Sequence, residues 1–364
     1  MPLKTVTGDH GSAHKGRGAT LNPEGRFENN EREFFDDGWD TPLEEAPGRP
    51  RTIVTMERAK SIISRNESPD IPFTQSINPY RGCEHGCIYC YARPSHAYLN
   101  LSPGLDFETR LFAKTNAAQL LQTELARQGY ACDCITIGAN TDPYQPVERE
   151  WKVTRSILEV LSACNHPCAI ITKNAMVERD LDILAPMAAK NLVQVYISVT
   201  TLDHEIARRM EPRASAPARR IEAIRRLAQA GVPAGVMVAP VVPFLTDSGI
   251  EAVLEAAREA GADRAGYTLM RLPWEVKDLF KDWLEHNFPL KAEHVMSRVR
   301  HMRGGRENDP NFGSRMRGAG ELAALMSKRF DMACRRLELN HLRRGPLDTT
   351  KFKPPRLDGQ MDLF

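Results

Sequence analysis

Three thiols stand close together in the stretch Arg81-Gly82-Cys83-Glu84-His85-Gly86-Cys87-Ile88-Tyr89-Cys90-Tyr91, at C-x3-C-x2-C spacing. Thiolates are soft ligands that suit zinc or an iron–sulfur cluster. A structural zinc ion takes four ligands in a closed tetrahedron, and no fourth cysteine follows within forty residues of Cys90. Zinc would therefore need His85 or His96 to complete its shell. A cubane 4Fe-4S cluster held by Cys83, Cys87 and Cys90 alone keeps one iron open for a substrate or cofactor. That arrangement is chemical rather than structural. A simple core role for all three thiols fits poorly with a Glu-His-Gly loop, which is polar.

The remaining cysteines offer less. Cys132 and Cys134 form a C-x-C, and Cys164 and Cys168 a C-x3-C, near the starts of two expected strands. They are either a second metal site or small buried hydrophobes, the ordinary fate of cysteine. Cys334 lies on an amphipathic helical stretch and reads as core.

The elements that must position the triad follow from hydrophobic patterning. Apolar runs at 76–80, 134–139, 169–173, 193–200, 234–242 and 266–272 alternate with helix-patterned stretches at 113–128, 152–163, 177–189, 216–230 and 250–260. Repeated strand–helix units predict parallel strands with right-handed crossovers. Six units are too few for a closed eightfold barrel, so the expected fold is α/β, an open (β/α)6 TIM-like barrel. A doubly wound sheet is the alternative. Beyond Pro273 only helical patterning remains.

Composition bounds the rest. The 364 residues are 41% hydrophobic and 26% charged, which fits a soluble globular protein. The longest apolar run, Val232 to Leu245, contains three prolines and is too short to cross a bilayer. The polar amino terminus does not read as a secretory signal, and eight cysteines without export fit a reducing, cytoplasmic setting.

With these residues in view, the chain resembles the radical S-adenosyl-L-methionine (SAM) enzymes, in particular the branch that includes spore photoproduct lyase. The likeness runs from about Asn78 to Pro273 and rests on the C-x3-C-x-aromatic-C loop, with Tyr89 at its aromatic position. The resemblance implies a 4Fe-4S cluster on Cys83, Cys87 and Cys90, with SAM bound to the open iron. One electron then cleaves SAM, and the 5′-deoxyadenosyl radical abstracts a substrate hydrogen atom. It implies an electron donor such as flavodoxin or ferredoxin. It also implies SAM contacts from Tyr89, Asn140, Asp142, Lys173 and Ser198, with Lys173 meeting the SAM carboxylate. Tyr89 and Tyr91 match tyrosines tied to hydrogen-atom relay. Glu211, Arg213 and Arg220 belong to a stretch that also resembles the lyases. The sequence departs from the lyases at Asn140, which stands where they carry a donor cysteine. The expected function is a radical SAM enzyme acting on DNA, with a small molecule, peptide or protein substrate as the alternative.

The expected domains are a mostly disordered arm at 1–50, a radical SAM core at 51–273, a basic helical extension at 274–345 and a flexible tail at 346–364. The arm holds six Lys/Arg against ten Asp/Glu, whereas residues 295–356 hold fifteen against six. Arg298, Arg300, Arg303, Arg306, Arg315 and Arg317, with Phe312 among them, suit phosphate contact and base stacking, or merely a solvated cap. The terminal Gln360-Met361-Asp362-Leu363-Phe364 resembles tails that dock on the bacterial sliding clamp.

Overall fold

The computed structural model describes residues 16–27, 50–341 and 345–356. Ten strands are present among them: β1 (Ile53–Glu57), β2 (Ile63–Arg65), β3 (Gln75–Ile77), β4 (Tyr80–Arg81), β5 (Arg110–Lys114), β6 (Ile135–Ile137), β7 (Cys168–Thr172), β8 (Val193–Ser198), β9 (Ala234–Val241) and β10 (Arg264–Leu269). The main sheet runs β10-β9-β8-β7-β6-β3-β2. Every neighbouring pair from β3 to β10 is parallel, and β2 closes one edge antiparallel to β3.

The parallel strands follow one another in space as they do in the chain. A doubly wound sheet would reverse its order at a switch point; no reversal occurs. The sheet is also not closed, since β10 and β2 are the two ends of the pairing order. The fold is the partial barrel expected from the six apolar runs, each of which overlaps one parallel strand. The runs are nearly continuous because helices and the interior leave little of these strands exposed, every residue of β7, β8 and β9 being buried or half-buried. Ile137, Ile170, Val195, Ile197, Val236 and Val238 are buried in one core with Leu158, Leu184, Ile224 and Leu254 from the surrounding helices.

β1, β2, β4 and β5 have no counterpart in the sequence reading. β4 is two residues long and β2 three, too short for alternation to show. β1, β5 and β4 form a separate three-stranded sheet that leads the chain into the cysteine loop.

Beyond Pro273 the described residues contain helices and no strand, as expected. Helix Gly320–Arg336 does not stand apart from the barrel. It packs on helix Ile250–Glu259, tied by an Arg329–Glu251 ion pair of 2.6 Å. Met326, Phe330 and Ala333 join the barrel core, with the Phe330 ring 4.7 Å from that of Tyr267. Helices Val276–Asn287 and Pro289–His301 form a second core instead, where Phe280, Trp283 and Val295 share a cluster with Cys87, Ile88 and Tyr89. Among the described residues no helix is long and apolar enough to cross a membrane.

Residues 345–356 lie against the amino-terminal end of the barrel strands. The Asp348 N–H donates to the Asn191 carbonyl at 2.9 Å and the Lys353 N–H to that of Cys164 at 2.9 Å. Phe352 meets His166 edge-on at 5.1 Å. The clamp-like residues Gln360–Phe364 lie outside the described residues. Cys164 and Cys168 are buried at this end, and Cys132 and Cys134 are half-buried. The four thiols thus lie at the end of the barrel away from the cysteine loop, two of them in the core.

His166 gives this end a pH dependence. It is fully buried, with Nδ1 3.0 Å from the Pro167 carbonyl and Nε2 2.9 Å from the Tyr130 hydroxyl. Burial pushes its pKa from 6.5 down to about 4. As pH falls from 6.5 towards 4, the unfolded chain takes up a proton that the folded ring refuses. The neutral-ring stability is therefore complete above 6.5 and lost through that window, by about 3 kcal/mol at most. Denaturant titrations at neutral pH and near pH 4 should show this loss. His166→Gln should flatten that part of the acid dependence.

Candidate active site

The cysteine loop is built by backbone constraints before any side chain acts. It leaves β4 through Gly82, at φ +73°, where a Cβ would sit 2.7 Å from Leu111 Cδ2 and 2.9 Å from the Phe107 carbonyl oxygen. Gly86, at φ +68°, would place a Cβ 2.8 Å from Glu108 Oε2. Both positions require glycine. Three N–H donors pin the loop to distant elements: Cys83 to the Phe107 carbonyl at 2.9 Å, Ile88 to that of Met210 at 3.1 Å, and Glu84 to Gln145 Oε1 at 2.8 Å. The Arg213 N–H donates back to the His85 carbonyl at 3.2 Å.

Cys83 and Cys87 are buried and Cys90 half-buried, and all three are free. Burial pushes each thiol up, Cys87 to about 12, while Lys173 works in the opposite direction at Cys87 and Cys90. A tetrahedral zinc site sets its sulfurs about 3.8 Å apart. No three His, Cys, Asp or Glu donors among the described residues converge on one ion in this way. His85 is also committed elsewhere, with Nδ1 3.4 Å from Asp142 Oδ2 and Nε2 3.2 Å from Asn174 Nδ2. His96 packs edge-on against Phe107 and Phe112, with Nε2 2.9 Å from the Arg110 carbonyl. Three thiols that influence one another, without a fourth protein donor, fit a body larger than one ion with an open corner.

The carboxyl ends of the strands bring the other expected residues to this loop. Asn78, just after β3, accepts at Oδ1 from the Asn140 N–H at 2.7 Å and so ties the ends of β3 and β6. Asp142 accepts from the Tyr144 N–H (2.9 Å), the Thr172 hydroxyl (2.6 Å) and the Lys173 N–H (2.7 Å), besides facing His85. Burial pushes the Asp142 carboxyl up, but His85, Thr172 and the Lys173 N–H outweigh it and hold the pKa at about 2. With its oxygens occupied, Asp142 orients β7 and the cysteine loop. Lys173 lies with Nζ 5.8 Å from the centre of the Tyr89 ring.

Tyr89 donates its hydroxyl to Glu211, which also accepts from Thr200 Oγ1 at 2.5 Å and pairs with Arg220. Arg220 completes the group by donating to the carbonyls of Ser215 at 2.6 Å and Ser198 at 3.0 Å. Tyr89, Lys173, Ser198 and Glu211 thus come together beneath the cysteine loop. Asn140 and Tyr91 are exposed at its rim, where the Tyr91 hydroxyl donates to the Ala139 carbonyl. The sequence reading missed Thr200, Gln145, Glu108 and Arg271. None of them belongs to a local motif.

Half of the basic block is consumed inside the protein. Arg315 holds Asp70 through Nε at 2.7 Å and Nη2 at 2.6 Å. Arg303 donates to the carbonyls of Met270, Ser314 and Arg315, and Arg300 pairs with Glu293 and Glu307. Arg298, Arg306 and Arg317 remain exposed. Of the six arginines offered for phosphate contact or a solvated cap, three are thus spent within the fold.

Part of the amino-terminal arm belongs to the site. Residues 16–27 form no helix or strand, yet Gly18 and Ala19 donate their N–H groups to the buried Glu108 carboxylate at 3.0 and 2.9 Å. Glu108 is paired in turn with Arg93 at 2.5 Å. A Cβ on Gly18 would sit 1.8 Å from the Gly86 carbonyl oxygen, between two of the thiols in sequence. Gly18→Ala should therefore lift this strap, at a cost of about 1–3 kcal/mol for the overpacking. Faster tryptic cleavage after Arg17 and a lower melting temperature would show it. Gly249→Ala, which meets nothing within 4 Å, should do neither.

Comparison with known proteins agrees with this geometry. Residues 77–257 match the radical SAM superfamily. An uncharacterised protein of Mycobacterium bovis is 37% identical over 234 residues, covering 64% of this chain and 68% of its own. One from Methanocaldococcus jannaschii is 24% identical over 242 residues, 66% of this chain and 86% of that one. Among solved structures, spore photoproduct lyase complexed with dinucleoside spore photoproduct superposes with a TM-score of 0.56 over 78% of this chain and 79% of that chain, at 15% identity. A point mutant of the same lyase gives the same score and coverage. At that identity the likeness is one of fold, and the lyase has the same kind of partial barrel. A three-thiol loop over the strand ends of an open six-stranded barrel, together with the superfamily match across it, places this chain in the radical SAM superfamily.

Proposed function

We propose that this radical SAM enzyme acts on DNA, and that Cys83, Cys87 and Cys90 hold its cluster. Membership of the superfamily carries with it a 4Fe-4S cluster, SAM and a need for an electron donor. When bound, the cluster supplies the electron that cleaves SAM to a 5′-deoxyadenosyl radical. The observation that carries the reading is the triad itself, three desolvated thiols with no fourth protein donor.

The chain's own residues then bind and orient. The Lys173 ammonium, half-buried beside Tyr89 and close to Cys87 and Cys90, suits the SAM carboxylate as a point charge. Ser198 and Asn140 offer polar groups in the same strand-end layer. Asp142 acts on SAM at one remove, by fixing Lys173 and His85. Tyr89 is locked on Glu211, whereas Tyr91 is half-exposed at the rim and faces incoming substrate. A flavodoxin or ferredoxin would supply the electron.

Exposed aromatic rings paired with guanidinium groups support a nucleic-acid substrate. Arg26 lies 4.6 Å from the Trp274 ring and 5.7 Å from that of Tyr98, and these rings are 70% and 71% exposed. Arg315 covers the exposed Phe312 at 4.6 Å. Stacking on such rings contributes about 1–3 kcal/mol per base. The lyase of the same fold binds a dinucleoside lesion.

The test is direct. Reconstituted protein is given SAM and reductant, with intact DNA, ultraviolet-irradiated DNA, or none. DNA of at least one kind should raise the yield of 5′-deoxyadenosine over the DNA-free reaction. Equal yields throughout would move the substrate to another class.

A further inference from the structure

Among the described residues, two arginines have a buried Nε with no hydrogen-bond partner, Arg26 and Arg271. Arg26 still lies 3.9 Å from the Glu275 carboxylate, and the fully buried guanidinium groups are well supplied with oxygen acceptors. Arg93 has Glu108 and three carbonyls, Arg220 has Glu211 and two carbonyls, and Arg303 has three carbonyls. Arg271 has none. Its Nε is buried without a hydrogen-bond partner, and its Nη1 reaches only the Met316 sulfur at 3.8 Å. The nearby carboxylate, Asp70, is already held by both arms of Arg315 and by the Gly313 N–H at 3.1 Å. Burial and the charge of Arg315 both disfavour the guanidinium's own charge here. A buried donor left without an acceptor is costly, and a ligand oxygen would supply the acceptor that the half-buried Arg271 lacks.

Its position says which ligand. Arg271 is two residues beyond the end of β10, in the same strand-end layer as the cysteine loop. Its guanidinium lies 5.6 Å from the ring centre of Tyr91, the residue directly after Cys90. Tyr91 is 49% exposed and fixed at its hydroxyl by the Ala139 carbonyl. A planar donor fork beside a half-open ring matches an anionic oxygen pair with an adjacent flat group.

We propose that Arg271 and Tyr91 form a phosphate-binding corner of the substrate site, in which one phosphodiester of a nucleic-acid strand accepts from the Arg271 fork and the neighbouring base stacks on Tyr91. This rests on the nucleic-acid reading above and adds where the strand is gripped. It also separates Arg271, which is unpaired, from Arg303 and Arg315, which serve the fold.

The experiment measures binding of a fluorescent single-stranded oligonucleotide to the reconstituted protein, for the wild type, Arg271→Gln and Arg271→Lys. Arg271→Gln should weaken binding about tenfold or more, the scale of one charge-assisted phosphate contact. Arg271→Lys, which keeps charge without the fork, should recover only part of the loss. A series of oligonucleotides, each with one phosphate replaced by methylphosphonate, should contain one that weakens the wild type equally and leaves Arg271→Gln unchanged. Far-ultraviolet circular dichroism and the visible spectrum show that each variant is folded and loaded. If the wild type binds DNA and Arg271→Gln binds it equally well, the inference is overturned while the DNA reading stands. If the wild type neither binds DNA nor responds to it in SAM cleavage, the DNA reading fails and takes the phosphodiester with it. Inorganic diphosphate, titrated calorimetrically into the wild type and Arg271→Gln, then shows whether a bare anion site survives.

Discussion

Anaerobically reconstituted Cys87→Ala protein should be colourless and should cleave SAM no faster than protein without iron. Two thiols cannot replace three, because the nearby His85, Asp142 and Glu211 are committed to Asn174, Thr172, the Lys173 N–H, Arg220 and Tyr89. The fold should survive the change. Cys87 belongs to the small cluster around Ile88, Tyr89 and Trp283 rather than to the barrel core. The loop is also held by the Cys83, Glu84 and Ile88 N–H groups, which no thiol substitution removes. Cys168→Ala is the matched control. That thiol is equally inaccessible but lies at the opposite end of the barrel, where β7 begins, and its loss should leave colour and turnover intact. Iron and sulfide content with a visible spectrum decide the matter. A coloured Cys87→Ala protein, or stoichiometric zinc in the wild type, would sink the assignment.

The largest expected loss of stability is at Arg220. Its partner Glu211 is 2% exposed and accepts from Thr200 and Tyr89 as well. Burial pushes the Glu211 carboxyl up, yet Arg220, Lys173 and the two hydroxyls together hold it below the usual carboxylate range. Arg220→Met removes the main counter-charge and leaves the carboxylate stranded, at about 3–5 kcal/mol. The double variant Arg220→Met with Glu211→Gln should recover most of that loss, since a neutral amide needs no counter-ion. Urea denaturation of the wild type, both single variants and the double variant gives the coupling directly. Additive losses would mean that the pair contributes through packing alone. Tyr89 loses a fixed acceptor in the same variants, so SAM cleavage should fall even where the fold is retained.

Much of the barrel could be read from the chain because its signals are local. The runs CAIIT, VQVYIS and AGVMVAPV are largely apolar, and each became a strand with one face buried and the other at least half-buried. β2 and β4 carry no such pattern and exist because β3 and β5 pair with them. The cysteine triad was equally visible, since its spacing lies within eight residues. Residues 16–27 show the limit. Nothing in Gly16-Arg17-Gly18-Ala19-Thr20 announces a strap, because its acceptor, Glu108, is ninety residues away.

The chain by itself pointed to the residues suited to a metal cluster, to six parallel strand–helix units, and to an open barrel ahead of a doubly wound sheet. These depend on residue type and on spacing within one element. Only the folded molecule decided that Arg315 is spent on Asp70 across 245 residues while Arg271 is left without an acceptor. It likewise decided that Asp142 is filled by protein donors and that Tyr89 leans on Glu211. A charge is free or neutralised according to what lies within a few ångströms of it in space. Contacts between residues far apart in the chain are set by how the whole barrel packs, which no local pattern encodes.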